Sequence, residues 1–199
     1  MNRFDLGRIS GWPDVPACYG WLSLDRRGQW RLRGGTVTHR GLRDFLNRGY
    51  GRDAEGHFFV QNGPQRVFVD LEYTPWVLHL TSAGTLETHT GHPIGAPRGA
   101  AVDEEGNLLL EIADGIALVC DRDLPALLGC LRHADDRVAS EAALLAFIDG
   151  TPNATADSGA LWFRRHGGRL PLRRLRRAEL AARYGYIPAP RAPSPGERR

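Results

Sequence analysis

The sequence predicts an α+β protein made of two small, mostly antiparallel β units, with helices covering their edges. One hairpin pattern occurs twice, because "GHFFVQNGPQRVFVDLEYTPWVLHL" (Gly56 to Leu80) aligns without a gap on "GNLLLEIADGIALVCDRDLPALLGC" (Gly106 to Cys130). Short segments with apolar residues at helical spacing lie between and after these hairpins. Together, the repeat and the helical segments predict an internal duplication with covering helices.

The first unit begins with a strand at Trp30 to Leu32 that ends in a glycine turn. A helix follows in "THRGLRDFLNRGY", where Leu42, Phe45 and Leu46 have helical spacing and Thr38 is the expected N-cap. The hairpin then turns at "NGP", and its outgoing strand is rich in branched and aromatic residues. After the proline, "PWVLHL" predicts a further strand.

The second unit has a matching strand at Leu86 to Thr88, but only "GAPRGAA" in place of the helix. Its hairpin turns at "ADG", and "DLPALLGCLRH" then predicts a helix behind an Asp cap. A second helix is expected from Ala139 to Ile148, capped by Ser140 and stopped by Gly150.

The C-terminal region begins with "TPNATADSG", which predicts a loop, followed by a hairpin in "ALWFRRHGGRLPL" around the His-Gly-Gly turn. A helix is expected in "LRRLRRAELAARYGY", with Leu172, Leu175 and Leu180 on one side. From Ile187 the chain is proline-rich and poor in core residues, so we expect it to be disordered. The predicted domains are therefore 1–82, 83–150, a basic extension at 151–186 and a disordered tail at 187–199.

Composition is that of an ordinary water-soluble protein, with 199 residues, 42% hydrophobic and 25% charged. No apolar run approaches the roughly 20 residues that span a bilayer, and the start lacks the apolar region of a secretory signal. We therefore expect a cytoplasmic protein without a membrane partner. Cys18, Cys120 and Cys130 have spacings of neither a disulfide framework nor a zinc ligand set, so we expect them to be reduced and buried.

All 26 basic residues are arginine, and they are unevenly distributed. Residues 101–163 hold 3 arginines and 12 acidic residues, whereas residues 164–199 hold 11 arginines and 2 acidic residues. We expect the acidic middle and the basic end to attract each other or to be solvated. Contact of the arginine-rich region with nucleic acid is the less favoured alternative.

Several of these segments resemble domain of unknown function family 1285, which is found mainly in Proteobacteria. The likeness runs through "CYGWLSL", "DRRGQWRLRGGTVTHR" and "EGHFFVQNGPQRVFVDLEYTPW", and continues weakly to about Leu131. The resemblance implies two similarly folded β-rich domains, the second similar to a pleckstrin-homology fold. It also implies a small, nucleotide-like ligand at the junction of the domains and a signalling role, with no established activity.

The chain departs from this family at the first hairpin turn. Where the family tends to have a Thr-Pro-Val-Glu-Lys run, this sequence has "NGPQR", so an amide replaces a carboxylate. The resemblance does not extend to the arginine-rich region after Ala160.

The candidate ligand-binding residues lie in the first copy of the hairpin, which keeps polar and aromatic side chains where the second copy is aliphatic. Arg66 beside Gln65 suits a phosphate or carboxylate, and Trp76 or Tyr73 would offer a flat face to a base. The alternative is that Trp76 belongs to the core and Arg66 is a solvated arginine at a strand end.

We therefore expect a non-enzymatic module that binds a small anionic or nucleotide-like ligand at the junction of the repeats, with no cofactor and no metal site. No Gly-x-Ser-x-Gly, P-loop or Gly-x-Gly-x-x-Gly motif occurs, and we expect "HTGH" to be a polar loop. An enzyme using the cleft between the repeats and a nucleic-acid-binding protein remain open. The sequence does not define the oligomeric state.

Overall fold

Residues 6–9, 11–150 and 160–193 are described by the structure, a computed structural model. The predicted loop at 151–159 and the end of the predicted tail, 194–199, lie outside the described residues. The described chain forms two units. The first contains residues up to Pro75, His89–Gly91 and the segment from Gly185 onward, and the second contains Trp76–Thr88 and His92–Tyr184.

The first unit is a sheet of six strands with the order β3-β2-β1-β6-β5-β4, in which only β1 and β6 are parallel neighbours. Among the described residues of this unit, one α-helix, α1, runs from Arg40 to Gly49 and buries Leu42 and Leu46. Its N-cap is His39, whose side chain accepts the backbone N–H of Leu42 at 3.2 Å, and not the expected Thr38. The strands are β1 (Ala17–Leu24), β2 (Trp30–Leu32), β3 (Gly35–Thr36), β4 (Tyr50–Arg52), β5 (Phe58–Asn62) and β6 (Gln65–Leu71).

The second unit is a sheet of eight strands with the order β12-β13-β14-β9-β10-β11-β7-β8. Its core includes aliphatic residues of the central strands together with Leu127, Leu161 and Phe163. The strands are β7 (Trp76–Leu80), β8 (Leu86–Thr88), β9 (Gly99–Val102), β10 (Leu108–Ile112), β11 (Gly115–Val119), β12 (Leu131–Arg132), β13 (Trp162–Arg165) and β14 (Gly168–Arg174). The helices are α2 (Leu124–Leu127), α3 (Glu141–Asp149) and α4 (Arg177–Tyr184).

The predicted α+β class and both predicted hairpins are confirmed. Strand order β2-β1-β6-β5-β4 in the first unit repeats as β8-β7-β11-β10-β9 in the second. The register repeats too, since the parallel partners Leu22 and Val69 correspond to Leu78 and Val119. The duplication read from the sequence is therefore also a duplication of the hydrogen-bonded framework.

Each unit also uses one type of turn twice: the first side chain of the turn accepts a backbone N–H from four residues later, and its first carbonyl accepts the N–H of a glycine three residues later. These side chains hold the ends of antiparallel strands together, and two of them, Asp25 and Asp103, are buried. The four hydrogen bonds are Gln29 to Asp25 at 2.8 Å, His57 to Asp53 at 2.8 Å, Thr85 to Thr81 at 3.2 Å and Asn107 to Asp103 at 2.8 Å.

Two predicted helices differ from the structure. The helix expected to include Leu172 begins only at Arg177, because Leu172 pairs with Ala100 as part of β14, parallel to β9. The helix expected after Asp123 is a single α-helical turn followed by a 3-10 turn at Leu128–Cys130. By contrast, α3 has the predicted Ser140 cap and ends at Asp149, with the predicted Gly150 as its C-cap.

The structure also divides the chain differently from the predicted domains. Residues 160–184 complete the second sheet and do not form a separate extension. Residues 187–193, expected to be disordered, lie against the first unit. The Leu71 N–H donates to the carbonyl of Pro188 at 2.7 Å, and the Ile187 N–H donates to that of Gly56 at 3.0 Å. Prolines lack an N–H donor, but their carbonyls still accept, which is how this segment is held.

Among the described residues, no helix is both long and apolar enough to span a bilayer.

Candidate functional site

Gln65, at the start of β6, has every polar atom of its side chain in use. Its oxygen accepts from Trp12 Nε1 at 2.7 Å and from Asn62 Nδ2 at 3.2 Å. Its nitrogen donates to the carbonyls of Pro13 at 3.0 Å and Val15 at 2.6 Å. The side chain is buried and fastens the N-terminal segment to the sheet, so binding a ligand would require breaking these bonds.

Arg66 is exposed, and its guanidinium lies over the ring of Phe59, with Cζ 4.7 Å from the ring centroid. The aromatic neighbour of Arg66 is thus a residue of β5 and not the expected Trp76 or Tyr73. Among the described residues, no carboxylate lies within salt-bridge distance of Arg66. Because Arg66 is exposed, an anion in the solvent could reach its guanidinium.

Tyr73 and Trp76 are both engaged in packing. Tyr73 is 5% exposed, lies beyond the end of β6, and its carbonyl accepts from Tyr186 Oη at 3.1 Å. It lies seven positions after Arg66 along a largely extended chain, which corresponds to roughly 20 Å. Trp76 belongs to the second unit, where it packs against the core and donates from Nε1 to the carbonyl of Asp114 at 3.1 Å.

The second unit contains a cleft with a volume of about 300 Å³ that the sequence analysis did not identify. One wall is β8 with the loop that follows it, and the other is the β13–β14 hairpin. Its lining is mainly apolar, and Leu86 and Phe163 at its base are 5% and 1% exposed. The remaining lining residues are Thr85, Ile94, Gly95, Ala96, Pro97, Arg165, His166, Gly168 and Leu170.

Arg165 is the half-buried charged group of this cleft. Its Nη2 donates to the carbonyl of Gly84, and its Nη1 lies 4.0 Å from the sulfur of Cys130. Within the described part of the chain, no carboxylate is close enough to form an ion pair with it. Because a guanidinium has five N–H donors, Arg165 keeps donors for a bound anion.

Two other arginines of the basic region do have acidic partners in the same unit. Arg164 pairs with Asp136, and Arg173 pairs with Glu111. The hydrogen bond from Arg164 lowers the pKa of Asp136 below its ordinary value. Burial by itself would raise the pKa of Glu111, but hydrogen bonds from Tyr184 and Arg173 outweigh it, so that this pKa is lowered. The basic end and the acidic middle of the sequence therefore neutralise each other in part.

One group of potential metal ligands, Asp53, Glu55 and His57, lies in a repeated turn of the first unit. Asp53 accepts the His57 backbone N–H at 2.8 Å and lies 3.0 Å from His57 Nδ1. Burial raises the pKa of Asp53, but the hydrogen bonds from His57 lower it more. Asp103 and Asn107 make the same arrangement in the second unit, so the turn itself explains this group.

A second group, His79, Cys120 and Asp123, lies in the second unit. Burial raises the pKa of the Cys120 thiol, which is the opposite of what an activated cysteine nucleophile requires.

The cleft could have been found in part from strand alternation. In β13, Phe163 and Arg165 are two residues apart and share one face, and Phe163 is an obvious core residue. No local pattern, however, indicates that the loop after β8 forms the opposite wall, because the two segments are about 70 residues apart.

Comparison with known proteins identifies a family and a fold. The model of family DUF2944, described as "Protein of unknown function (DUF2946)", matches residues 4–191. No curated protein matches the chain significantly.

Two solved structures are similar to this one. A DUF1285 family protein from Silicibacter pomeroyi is 14% identical, with a TM-score of 0.51 over 78% of this chain and 80% of that chain. A DUF1285 family protein from Shewanella baltica is 11% identical, with a TM-score of 0.35 over 53% of this chain and 88% of that chain. The first likeness confirms, as a matter of fold, the resemblance seen in the sequence.

Proposed function

Because the chain belongs to this DUF2944 family of proteins of unknown function, we propose from its own residues that it is a non-enzymatic small-ligand-binding module. The proposed site is the cleft of the second unit, and the proposed ligand is a small molecule with an apolar body and one anionic group. The observation that carries the proposal is Arg165, a half-buried guanidinium without a carboxylate partner among the described residues.

The positive charge of Arg165 indicates that the ligand carries an anionic group. A partly desolvated charge is costly unless it is paired, and the adjacent Arg164 and Arg173 of the next strand both have acidic partners. A carboxylate or phosphate monoester would supply the missing partner through charge-assisted hydrogen bonds. The exposed His166, in the turn after β13, adds two ring nitrogens at the rim.

The residues that line the cleft indicate that the rest of the ligand is apolar. Ligand sites typically have volumes from about 300 to 1,000 Å³ and combine apolar walls with a few polar groups. At about 300 Å³, this cleft is at the small end of that range. Leu86, Phe163 and Ile94 would contact an apolar or aromatic group, while Arg165 would hold its anionic end.

Arg66 remains a second candidate for binding the same class of ligand. Its exposed guanidinium lies over the ring of Phe59, and this contact would limit its movement before an anion arrives. Gln65 and Tyr73 would contribute to such a site only indirectly, since both are buried, and Trp76 packs within the second unit. Each of the two candidate sites thus lies within a single unit.

The test is a ligand screen followed by calorimetry. Wild-type protein is screened by thermal shift against short and aromatic carboxylates, phosphate monoesters and nucleotides, and each hit is titrated against Arg165→Gln, Arg66→Ala and Arg164→Gln. Loss of a charged hydrogen bond costs about 1.5–3 kcal/mol, so Arg165→Gln should weaken binding by about 10- to 150-fold. Arg164→Gln is the matched control, because Arg164 is the adjacent arginine and already pairs with Asp136.

Two further outcomes separate the candidates. If Arg66→Ala weakens binding and Arg165→Gln does not, the site is on the first unit. Ala96→Phe is a second probe of the cleft, because it adds bulk at an exposed lining position and should block binding without disturbing the core. If no compound in the panel stabilises the protein, small-ligand binding is wrong, and RNA and DNA binding by the arginine-rich region is tested next.

A further inference from the structure

His79, Cys120 and Asp123 are far apart in the sequence but meet at one end of the second sheet. His79 lies in β7, Cys120 directly follows β11, and Asp123 comes three residues later. β7 and β11 are parallel neighbours with Leu78 opposite Val119, so the next residues, His79 and Cys120, are adjacent. The Cys120 N–H donates to the Leu78 carbonyl at 2.9 Å, which fixes this arrangement.

The three side chains converge on one small volume. Their potential ligand atoms, one from each residue, all lie within 4.8 Å of one another. His79 Nδ1 is 3.5 Å from Asp123 Oδ2, and the same oxygen accepts the Leu80 backbone N–H at 3.1 Å. The carboxylate is therefore held by the backbone in the orientation in which it faces His79. Cys120 is 1% exposed, while the side chains of His79 and Asp123 are 40% and 23% exposed, so the group opens to solvent on one side.

The duplicated framework shows that this fold does not require these residue types. By the repeated register, His79 and Cys120 correspond to Ser23 and Asp70, which are paired across β1 and β6 in the first unit. Asp123 corresponds to Tyr73 at the hairpin offset of the duplication. The first unit thus builds the same corner without a histidine and a cysteine, so the packing of the repeat does not explain the group.

Imidazole nitrogen, thiolate sulfur and carboxylate oxygen are the ligands that Zn²⁺ takes in proteins, with bond lengths of about 2.0–2.3 Å in tetrahedral geometry. Those bond lengths place the ligand atoms roughly 3.3–3.8 Å apart. The 3.5 Å between His79 and Asp123 already fits this range, and the other separations, at most 4.8 Å, have to close by no more than about 1 to 1.5 Å, an adjustment that the partly exposed side chain of His79 can make.

We propose that His79, Cys120 and Asp123 bind one divalent transition-metal ion, with Zn²⁺ as the preferred ion. The ion takes nitrogen from His79, sulfur from Cys120 and oxygen from Asp123. Because the described residues supply three protein ligands, the fourth tetrahedral position holds water and faces the solvent side of the group. This site is separate from the proposed ligand cleft, since the two have no residue in common.

Cobalt substitution tests the site directly. Tag-free wild-type protein is stripped with a chelator and titrated with Co²⁺, then with Zn²⁺. We expect a near-ultraviolet thiolate-to-cobalt charge-transfer band together with the visible bands of tetrahedral Co²⁺. Both sets of bands should saturate at one ion per chain. They should disappear when Zn²⁺, which binds a site with a thiolate ligand more tightly than Co²⁺, displaces the Co²⁺.

Variants identify the ligands. Cys120→Ser should remove the charge-transfer band, and Cys130→Ser, the matched thiol control, should keep it. His79→Gln and Asp123→Asn should each weaken Co²⁺ binding by at least about tenfold. Even residues that only hydrogen-bond to a metal ligand typically contribute about 10- to 100-fold to metal affinity, and a ligand itself should contribute no less. His57→Gln is the matched histidine control and should leave binding unchanged.

If the Cys120→Ser variant fails to fold because Cys120 is buried, the variants of the two partly exposed ligands, His79→Gln and Asp123→Asn, still test the proposal. Absence of the charge-transfer band in wild-type protein would overturn the proposal, and so would a band that is lost in Cys130→Ser. Unchanged Co²⁺ affinity in both His79→Gln and Asp123→Asn would also overturn it.

Discussion

Gly56→Ala is predicted to destabilise the protein more than the same change at the equivalent glycine of the second unit. Gly56 has a φ of +91°, and a Cβ there would lie 2.3 Å from the carbonyl oxygen of Gly185 in the C-terminal segment. Gly106 occupies the same position of the repeated turn, with a φ of +81°, but its Cβ would meet only Ile148 Cδ1 at 3.6 Å, an ordinary contact. Comparing Gly56→Ala with Gly106→Ala therefore separates the cost of backbone strain, which both variants share, from the cost of displacing the C-terminal segment, which only Gly56→Ala incurs.

The expected costs follow from these contacts. A left-handed conformation costs a non-glycine residue about 1–2 kcal/mol, and both variants share this cost. Gly56→Ala must also displace Gly185, which weakens the hydrogen bond from Ile187 N–H to the Gly56 carbonyl and the bond from Arg52 to the Gly185 carbonyl. At about 0.5–1.5 kcal/mol each, these add about 1–3 kcal/mol to the cost of Gly56→Ala alone.

The assay is chemical denaturation of both variants in the full chain and in a chain truncated after Tyr184. The difference between the two variants should be about 1–3 kcal/mol in the full chain and should vanish in the truncated chain, where the obstructing carbonyl is gone. Equal costs in the full chain would refute the docking of the C-terminal segment and restore the disordered tail that its composition predicts.

Two further predictions concern the second unit. Asp103→Ala should lower the free energy of unfolding by about 2–4 kcal/mol, measured by urea denaturation, because a buried carboxylate that accepts three hydrogen bonds is lost. A loss below 0.5 kcal/mol would contradict its role in the turn. Glu111 has a lowered pKa, so its stabilising effect is present above the ordinary glutamate value of about 4.3 and is lost as the pH falls through the lowered pKa. Glu111→Gln should therefore reduce the acid-side dependence of stability on pH, and an unchanged dependence would refute this.

Local patterns in the sequence determined much of the fold. The two hairpins were predictable because period-2 alternation and turn residues lie within about ten consecutive residues, and α3 because Ser140 and Gly150 mark its ends. The duplication was predictable because the two copies align without a gap, and their strand order bears this out.

Non-local pairing decided what the sequence left open. Leu172 and Leu175 have helical spacing, but the N–H and C=O groups near Leu172 bond to β9, about 70 residues earlier, and this tertiary pairing overrides the local pattern. The tail from Ile187 is composed like a disordered segment, but the carbonyl of Pro188 in that tail accepts the backbone N–H of Leu71 at the end of β6.

The candidate sites depended most on tertiary structure. The sequence singles out Arg66 and not Arg165 as a ligand-binding residue, and only the folded sheet shows that Arg165 lines an apolar cleft. His79 and Cys120 are separated by 41 positions, and no spacing rule connects them. They meet because β7 and β11 are parallel neighbours, and the residues that face each other across such a pair are fixed by strand order and register. Local propensity determines neither of these, whereas the hydrogen bonds of the whole sheet determine both.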